Sequence, residues 1–353
     1  MPESTELRER MAAARLDDDD HRLEAMVRSR LFGPAHAPPA QIGRFTLLER
    51  IGRGGMGDVY AAYDPVLDRK VALKLLRRGA ADRLDADARR SLLDEARAAA
   101  RLAHPGVVAI HEVGEVGGEG GVYVAMELID GQTLRAWLRA PRPLAERLRV
   151  FVDAGLALAA AHDAGIVHRD FKPENLLVSG EGGELRGRVV DFGLARLVSP
   201  PALASDAAAA ARGAIAGTPA YMSPEQLRGL PVDGRSDLFA YCVTLHEALT
   251  GRHPFGADHE GFTTDDLLDR IVREAPLAGE RDLPAWLRPI LRRGLRADPR
   301  ARPPSMRALV RELQASSAWC GRTASVAATA PPPAPATSAP TLTAGPPSAI
   351  ARA

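Results

Sequence analysis

The segment HRDFKPEN, His168 to Asn175, followed by DFG at Asp191 to Gly193, constrains this chain more than any other feature. Asp170 is suited to accept a proton from a hydroxyl, and Lys172 to hold a transferring phosphate. Asn175 and Asp191 are suited to supply hard oxygen ligands to Mg²⁺. A chance match to either word alone is conceivable. Both in order, with a glycine-rich segment upstream, leave little room for chance.

The upstream segment is IGRGGMGDVY, in which Gly52, Gly54 and Gly57 form G-x-G-x-x-G and Val59 follows. That pattern alone is weak, because dinucleotide-binding units share it. There the glycines open a helix. Here Asp58 to Tyr63 reads as a second strand, so the glycines join two strands. Such a loop can lie over a triphosphate with its N–H groups facing the phosphates. VALK follows, with Lys74 on the apolar strand Val71 to Leu76. A lysine among apolar strand residues is unfavourable unless its ammonium is paired. The expected partner is Glu95, on the helical stretch Ala86 to Leu102 that His104-Pro105 closes.

The chain has 353 residues, enough for one two-part domain with short ends. Its 46 basic and 45 acidic residues give a net charge of +1, so no nucleic-acid partner is expected. Cys242 and Cys320 lie far apart and suggest neither a disulfide framework nor a metal site, which fits a reducing cytoplasm. No run of 18 or more apolar residues occurs, so no membrane span is expected.

Residues 1–43 read as an extension. Leu23, Met26, Val27 and Leu31 repeat at helical spacing before Gly33-Pro34, and a Pro/Ala linker follows. Residues 44–129 read as a β-rich lobe, with strands near Val107 to Val113 and Val122 to Leu128. Residues 130–315 read as a helical lobe, with apolar helices over Val150 to Ala164 and Asp237 to Thr250. Residues 316–353 are rich in Ala, Pro, Ser and Thr and are expected to be disordered.

Together, ERIGRGGMGDVYAAYD, KVALKLL, MELIDGQTL, GIVHRDFKPENLL, GTPAYMSPEQLRG and SDLFAYCVTLHEALTGRHPF resemble the protein kinase family, most closely the eukaryotic-like Ser/Thr kinases of bacteria. The resemblance covers 45 to about 314. It implies an α+β, two-lobed fold: a small β-rich lobe with one main helix and a larger, mainly helical lobe. It implies a non-specific Ser/Thr protein kinase that uses ATP and Mg²⁺ (or Mn²⁺ as a substitute), acts on protein Ser/Thr hydroxyls in bacterial signalling, and autophosphorylates. It names no oligomeric state.

The resemblance also implies roles. Ile51, Val59 and Ala72 would roof an adenine slot and Leu177 would floor it. Met126 would be the gatekeeper, and the hinge Glu127 to Ile129 would offer backbone groups. Lys74, held by Glu95, would bind the α- and β-phosphates beneath Gly52, Gly54 and Gly57. Asp191 and Asn175 would hold the metal, and Asp170 would orient the hydroxyl. Lys172 and Thr218 are Ser/Thr-kinase choices. Glu225 should pair with Arg302, Asp237 should anchor the catalytic loop, and His168 and Phe192 should pack.

One departure stands out. Counting back from Gly217, Ala210 and Arg212 occupy places where such kinases carry phosphorylated threonines, although Arg169 is kept. Ser199 and Ser205 remain as candidates. A pseudokinase scaffold is disfavoured because Lys74, Asp170 and Asp191 are intact. A small-molecule kinase is disfavoured by the Gly-Thr-Pro…Ser-Pro-Glu segment.

Overall fold

Six short stretches of alternating apolar residues pair into one antiparallel sheet: β1 (Gln41–Ile42), β2 (Phe45–Gly54), β3 (Gly57–Asp64), β4 (Arg69–Leu76), β5 (Ile110–Val116) and β6 (Gly121–Glu127). Their order is β1-β2-β3-β4-β6-β5. The structure, a computed structural model, describes residues 40–54, 57–76, 100–116, 121–192, 218–256, 263–274 and 277–315. The expectations for Glu95, for the helix around Leu23 to Leu31, for residues 193–217 and for the tail beyond 315 lie outside the described residues.

Side chains along a strand alternate between its faces. In β4, Val71, Leu73 and Leu75 therefore join Phe45, Leu47, Tyr60 and Tyr123 in one apolar cluster. Ala72 faces the other way, with Val124 and Met126. Lys74 shares the parity of Ala72 and lies on the face that also collects Val59, Ile129 and Leu177. Gly54 pairs with Gly57 where β2 turns into β3.

The second half is helical. A small sheet of β7 (Gln132–Thr133), β8 (Leu176–Ser179) and β9 (Arg186–Val189) lies beside α1 (Leu134–Trp137) and α2 (Leu144–Asp163). The elements α3 (Pro224–Leu227), α4 (Gly234–Thr250), α5 (Thr264–Val272), α6 (Arg288–Gly294) and α7 (Met306–Ala315) follow. Helix α4 is apolar on nearly every side, and such a helix belongs in the middle of a bundle. It packs on α2 through Tyr241, whose ring meets Phe151 edge-on and whose hydroxyl donates to the Phe151 carbonyl at 2.8 Å. Gly155 lets α7 approach α2, since a Cβ there would lie 2.4 Å from Val310 Cγ2.

Two boundaries differ from expectation for local reasons. Helix α2 begins at Leu144, not Val150, because Arg147 and Arg149 dilute its apolar pattern although Pro143 precedes a regular turn. Helix α4 begins at Gly234, not Asp237, because the Asp233 carboxylate caps it, accepting the Arg235 N–H at 2.8 Å. The strand expected from Val107 is displaced to Ile110–Val116. Residues 106–108 instead lie along β9, with Val108 N–H donating to the Val189 carbonyl at 3.0 Å and Val189 N–H to that of Gly106 at 2.8 Å. This seam joins the sheet half to the helical half. Among the described residues no helix is long and apolar enough to cross a membrane.

Candidate active site

The catalytic-loop candidates sit between α2 and β8, and Asp237 at the start of α4 sets their backbone. Its Oδ2 accepts the His168 N–H at 2.8 Å and its Oδ1 the Arg169 N–H at 2.7 Å. His162 Nε2 lies 2.7 Å from Oδ2 as well. Burial pushes the Asp237 carboxyl up, but the hydrogen bond from His162, the two neighbouring imidazoles and the His168 backbone N–H outweigh it and hold the group below the ordinary carboxylate range. His162 has no part in the expectations above.

His168 is fully buried against Phe171 and Phe192. Its Nε2 donates to the Val190 carbonyl at 2.9 Å, while Nδ1 accepts the Asp170 N–H at 3.2 Å. That pairing defines one neutral tautomer and makes His168 a structural residue.

Asp170 is 6% exposed. Its Oδ2 accepts from Lys172 Nζ at 2.8 Å and from Asn175 Nδ2 at 3.2 Å. Asn175 Nδ2 also donates to the Asp170 carbonyl at 2.7 Å. The Asn175 amide nitrogen is thus committed to Asp170, which leaves its oxygen as the atom suited to a cation. Val190 N–H donates to the Asn175 carbonyl at 3.0 Å, tying this loop to the chain entering Asp191.

Asp191 has a φ of +68° and Arg169 one of +66°. L-residues adopt this left-handed conformation only when surroundings over-determine it, at about 1–3 kcal/mol each. Asp191 is directed at Lys74, with Nζ and Oδ2 2.6 Å apart. Lys74 is thus joined to a carboxylate among the described residues, while its expected partner Glu95 lies outside them.

The apolar slot collects on one side of the sheet. Met126 and Ala72 are buried in one cluster, against which Val59, Ile129 and Leu177 pack. Ile51 is 48% exposed. At the expected hinge, the Glu127 N–H donates to the Ala109 carbonyl at 2.8 Å. The Glu127 side chain pairs with Arg188. Thr218 opens the turn Thr218–Tyr221 and is described in backbone only.

The three glycines separate by role. A Cβ on Gly57, where φ is +151°, would fall 1.9 Å from the Leu75 carbonyl oxygen, so the sheet itself requires glycine. Among the described residues, a Cβ on Gly52 or Gly54 would meet no atom closer than 3.6 Å. The described packing leaves room there, which would let a ligand approach a bare Cα. With a carboxylate and an amide oxygen as hard donors nearby, these residues fit Mg²⁺ and a polyphosphate.

Glu225 and Arg302 meet in two hydrogen bonds of 2.7 and 2.8 Å. The remaining Arg302 N–H groups donate to the carbonyls of Arg235, Arg296 and Ala297 at 2.8, 2.8 and 3.1 Å. Beside the catalytic loop, Arg135 links Glu174, Glu247 and Tyr221, with Tyr221 donating to Glu247 at 2.6 Å. Burial and the neighbouring Glu247 carboxylate push the Tyr221 phenol well up. Sequence reasoning missed this cluster, whose members are far apart along the chain.

The chain matches the protein kinase domain family over residues 45–313. It is 37% identical to the serine/threonine-protein kinase pkn2 of Myxococcus xanthus, over 78% of this chain and 32% of that protein. It is 38% identical to PknD of Mycobacterium tuberculosis, over 74% of this chain and 38% of that one. The chain thus spans about a third of the length of these relatives. Among solved structures it resembles the PknI kinase domain of M. tuberculosis, with a TM-score of 0.60 and 28% identity, covering 79% of this chain and 99% of that domain.

Proposed function

The chain belongs to the protein kinase family and has its two-lobed fold, and from that premise we propose that it transfers the γ-phosphoryl group of ATP to serine or threonine hydroxyls of proteins. The observation that carries this reading is the convergence of Asp170, Lys172 and Asn175 with the Lys74–Asp191 pair, the latter at 2.6 Å.

In this reading Asp170 orients the attacking hydroxyl and takes its proton, an effect typically worth about 10²–10⁴-fold. Its carboxylate is aimed for the task by Asn175 and Lys172. Lys172 can release Asp170 to contact the transferring phosphoryl oxygens. Lys74 approaches the α- and β-phosphates from the sheet face, and Glu95 is proposed to share it. Asp191 and Asn175 would hold Mg²⁺, which when bound offsets phosphate charge. Gly52, Gly54 and Gly57 let backbone N–H groups come close to the phosphates. Ile51, Val59, Ala72, Met126 and Leu177 exclude water around the base, and Glu127 and Ile129 read its edge.

Lys172 and Thr218 support serine or threonine over tyrosine as the acceptor. Autophosphorylation, a signalling role and a cytoplasmic setting, where ATP is supplied, belong to the same proposal. The experiment is phosphotransfer from labelled ATP to the chain itself or a generic basic protein, followed by phosphoamino-acid analysis. Asp170→Asn should abolish the signal. Phosphotyrosine as the main product would overturn the acceptor assignment.

A further inference from the structure

Arg169 stands directly before Asp170 in a left-handed conformation, with φ +66°. A side-chain Cβ disfavours this conformation, so contacts must impose it. Its N–H is held by Asp237 Oδ1 at 2.7 Å. Its carbonyl accepts a hydrogen bond of 2.7 Å from Nε2 of Gln226.

Gln226 lies in the first turn of α3, three residues after the capping Ser223. Its Oε1 accepts the Ser223 N–H at 3.1 Å and the Ser223 hydroxyl at 3.0 Å. A backbone N–H can only donate and a carbonyl can only accept. The amide orientation is therefore dictated at both ends: oxygen toward Ser223, nitrogen toward Arg169. Flipping it would set donor against donor and acceptor against acceptor.

The peptide plane between Arg169 and Asp170 is thus pinned at both edges. Gln226 holds its carbonyl, and His168 Nδ1 accepts its N–H at 3.2 Å. A peptide group is rigid, so fixing both edges fixes the position of the Asp170 Cα from which the side chain departs. We propose that Gln226 is a positioning residue for Asp170, coupling the Ser223–Leu227 segment to the orientation of the carboxylate that serves the acceptor hydroxyl. The proposal rests on the kinase reading for its catalytic consequence, but the contact itself does not.

Gln226→Glu in the full chain separates the two ends of this bridge. A carboxylate at this position still accepts from Ser223 and preserves the helix cap. It has no N–H for the Arg169 carbonyl and repels it. We expect kcat to fall about three- to tenfold, the size of one lost hydrogen bond. KM for ATP and the melting temperature should stay near wild type. Amide hydrogen exchange over 166–172 should quicken about three- to tenfold, while the 238–246 core of α4 keeps its protection. Wild-type kcat and exchange in Gln226→Glu would overturn the proposal. So would a kcat loss accompanied by a raised KM for ATP and a general drop in melting temperature, which would make Gln226 merely structural. A wild-type chain without phosphotransfer would remove the kinase reading, and the exchange measurement would still decide the Gln226 contact.

Discussion

Lys74 Nζ and Asp191 Oδ2 lie 2.6 Å apart, joining the sheet half to the helical half of the protein across 117 residues of sequence. The Lys74 side chain is 5% and that of Asp191 16% exposed, so neither group finds much water as a substitute. Lys74→Ala should remove most turnover by leaving the phosphates without their cation. Asp191→Ala should do the same and also weaken Mg·ATP binding, read by titration with a fluorescent nucleotide. Both variants should remain folded by circular dichroism. Retained turnover in either would contradict the assigned roles.

Asp170→Asn keeps the size of the side chain and removes the base. Turnover should fall on the order of 10²–10⁴-fold. Steady-state kinetics at saturating ATP measure it, and a wild-type rate would sink the mechanism.

Arg302 is wholly enclosed and uses all its N–H groups on Glu225 and three carbonyls. Arg302→Ala strands the Glu225 carboxylate and should destabilise by about 3–5 kcal/mol. In a domain of this size that lowers the melting temperature on the order of 10 °C. A variant that melts like wild type would show the pair to be energetically idle.

The same pair gives a pH dependence. Burial raises the Glu225 carboxyl, but the Arg302 and Ser236 hydrogen bonds outweigh it and bring it below its ordinary value. A carboxyl depressed on folding stabilises fully above its unfolded pKa, roughly 4.3. That contribution disappears as pH falls through the lower folded value. Urea denaturation between pH 6 and 3 should therefore show a slope that Glu225→Gln flattens.

Residues 193–217 lie outside the described residues, and their sequence bears on regulation. Ala210 cannot carry a phosphate, and Arg212 would repel Arg169 rather than replace one. Phosphatase-treated protein should keep its initial rate on a peptide substrate, as should Ser199→Ala. Loss only in Ser205→Ala would locate a switch at that serine. Loss on dephosphorylation with both serines dispensable would place the regulatory site elsewhere.

What the sequence determined by itself was chemical and local. Alternation in Val71 to Leu76 put Lys74 on the face opposite Val71, Leu73 and Leu75, and period two alone decides that. The all-round apolar pattern of Asp237 to Thr250 marked a central helix, and the motif words marked Asp170, Asn175 and Asp191 as the polar centre. Tertiary structure decided which groups meet. A buried ammonium must find a carboxylate, but sequence cannot say which one packing brings within reach, and Lys74 is joined to Asp191. The S-x-x-Q signature at Ser223 to Gln226 is legible as a helix cap. That its other end grips the carbonyl before Asp170 is not, because the contact spans 57 residues and depends on the left-handed turn at Arg169. Hydrogen-bond donors and acceptors are properties of residue type, whereas their pairing within 3 Å is a property of how the helices and sheet close on one another.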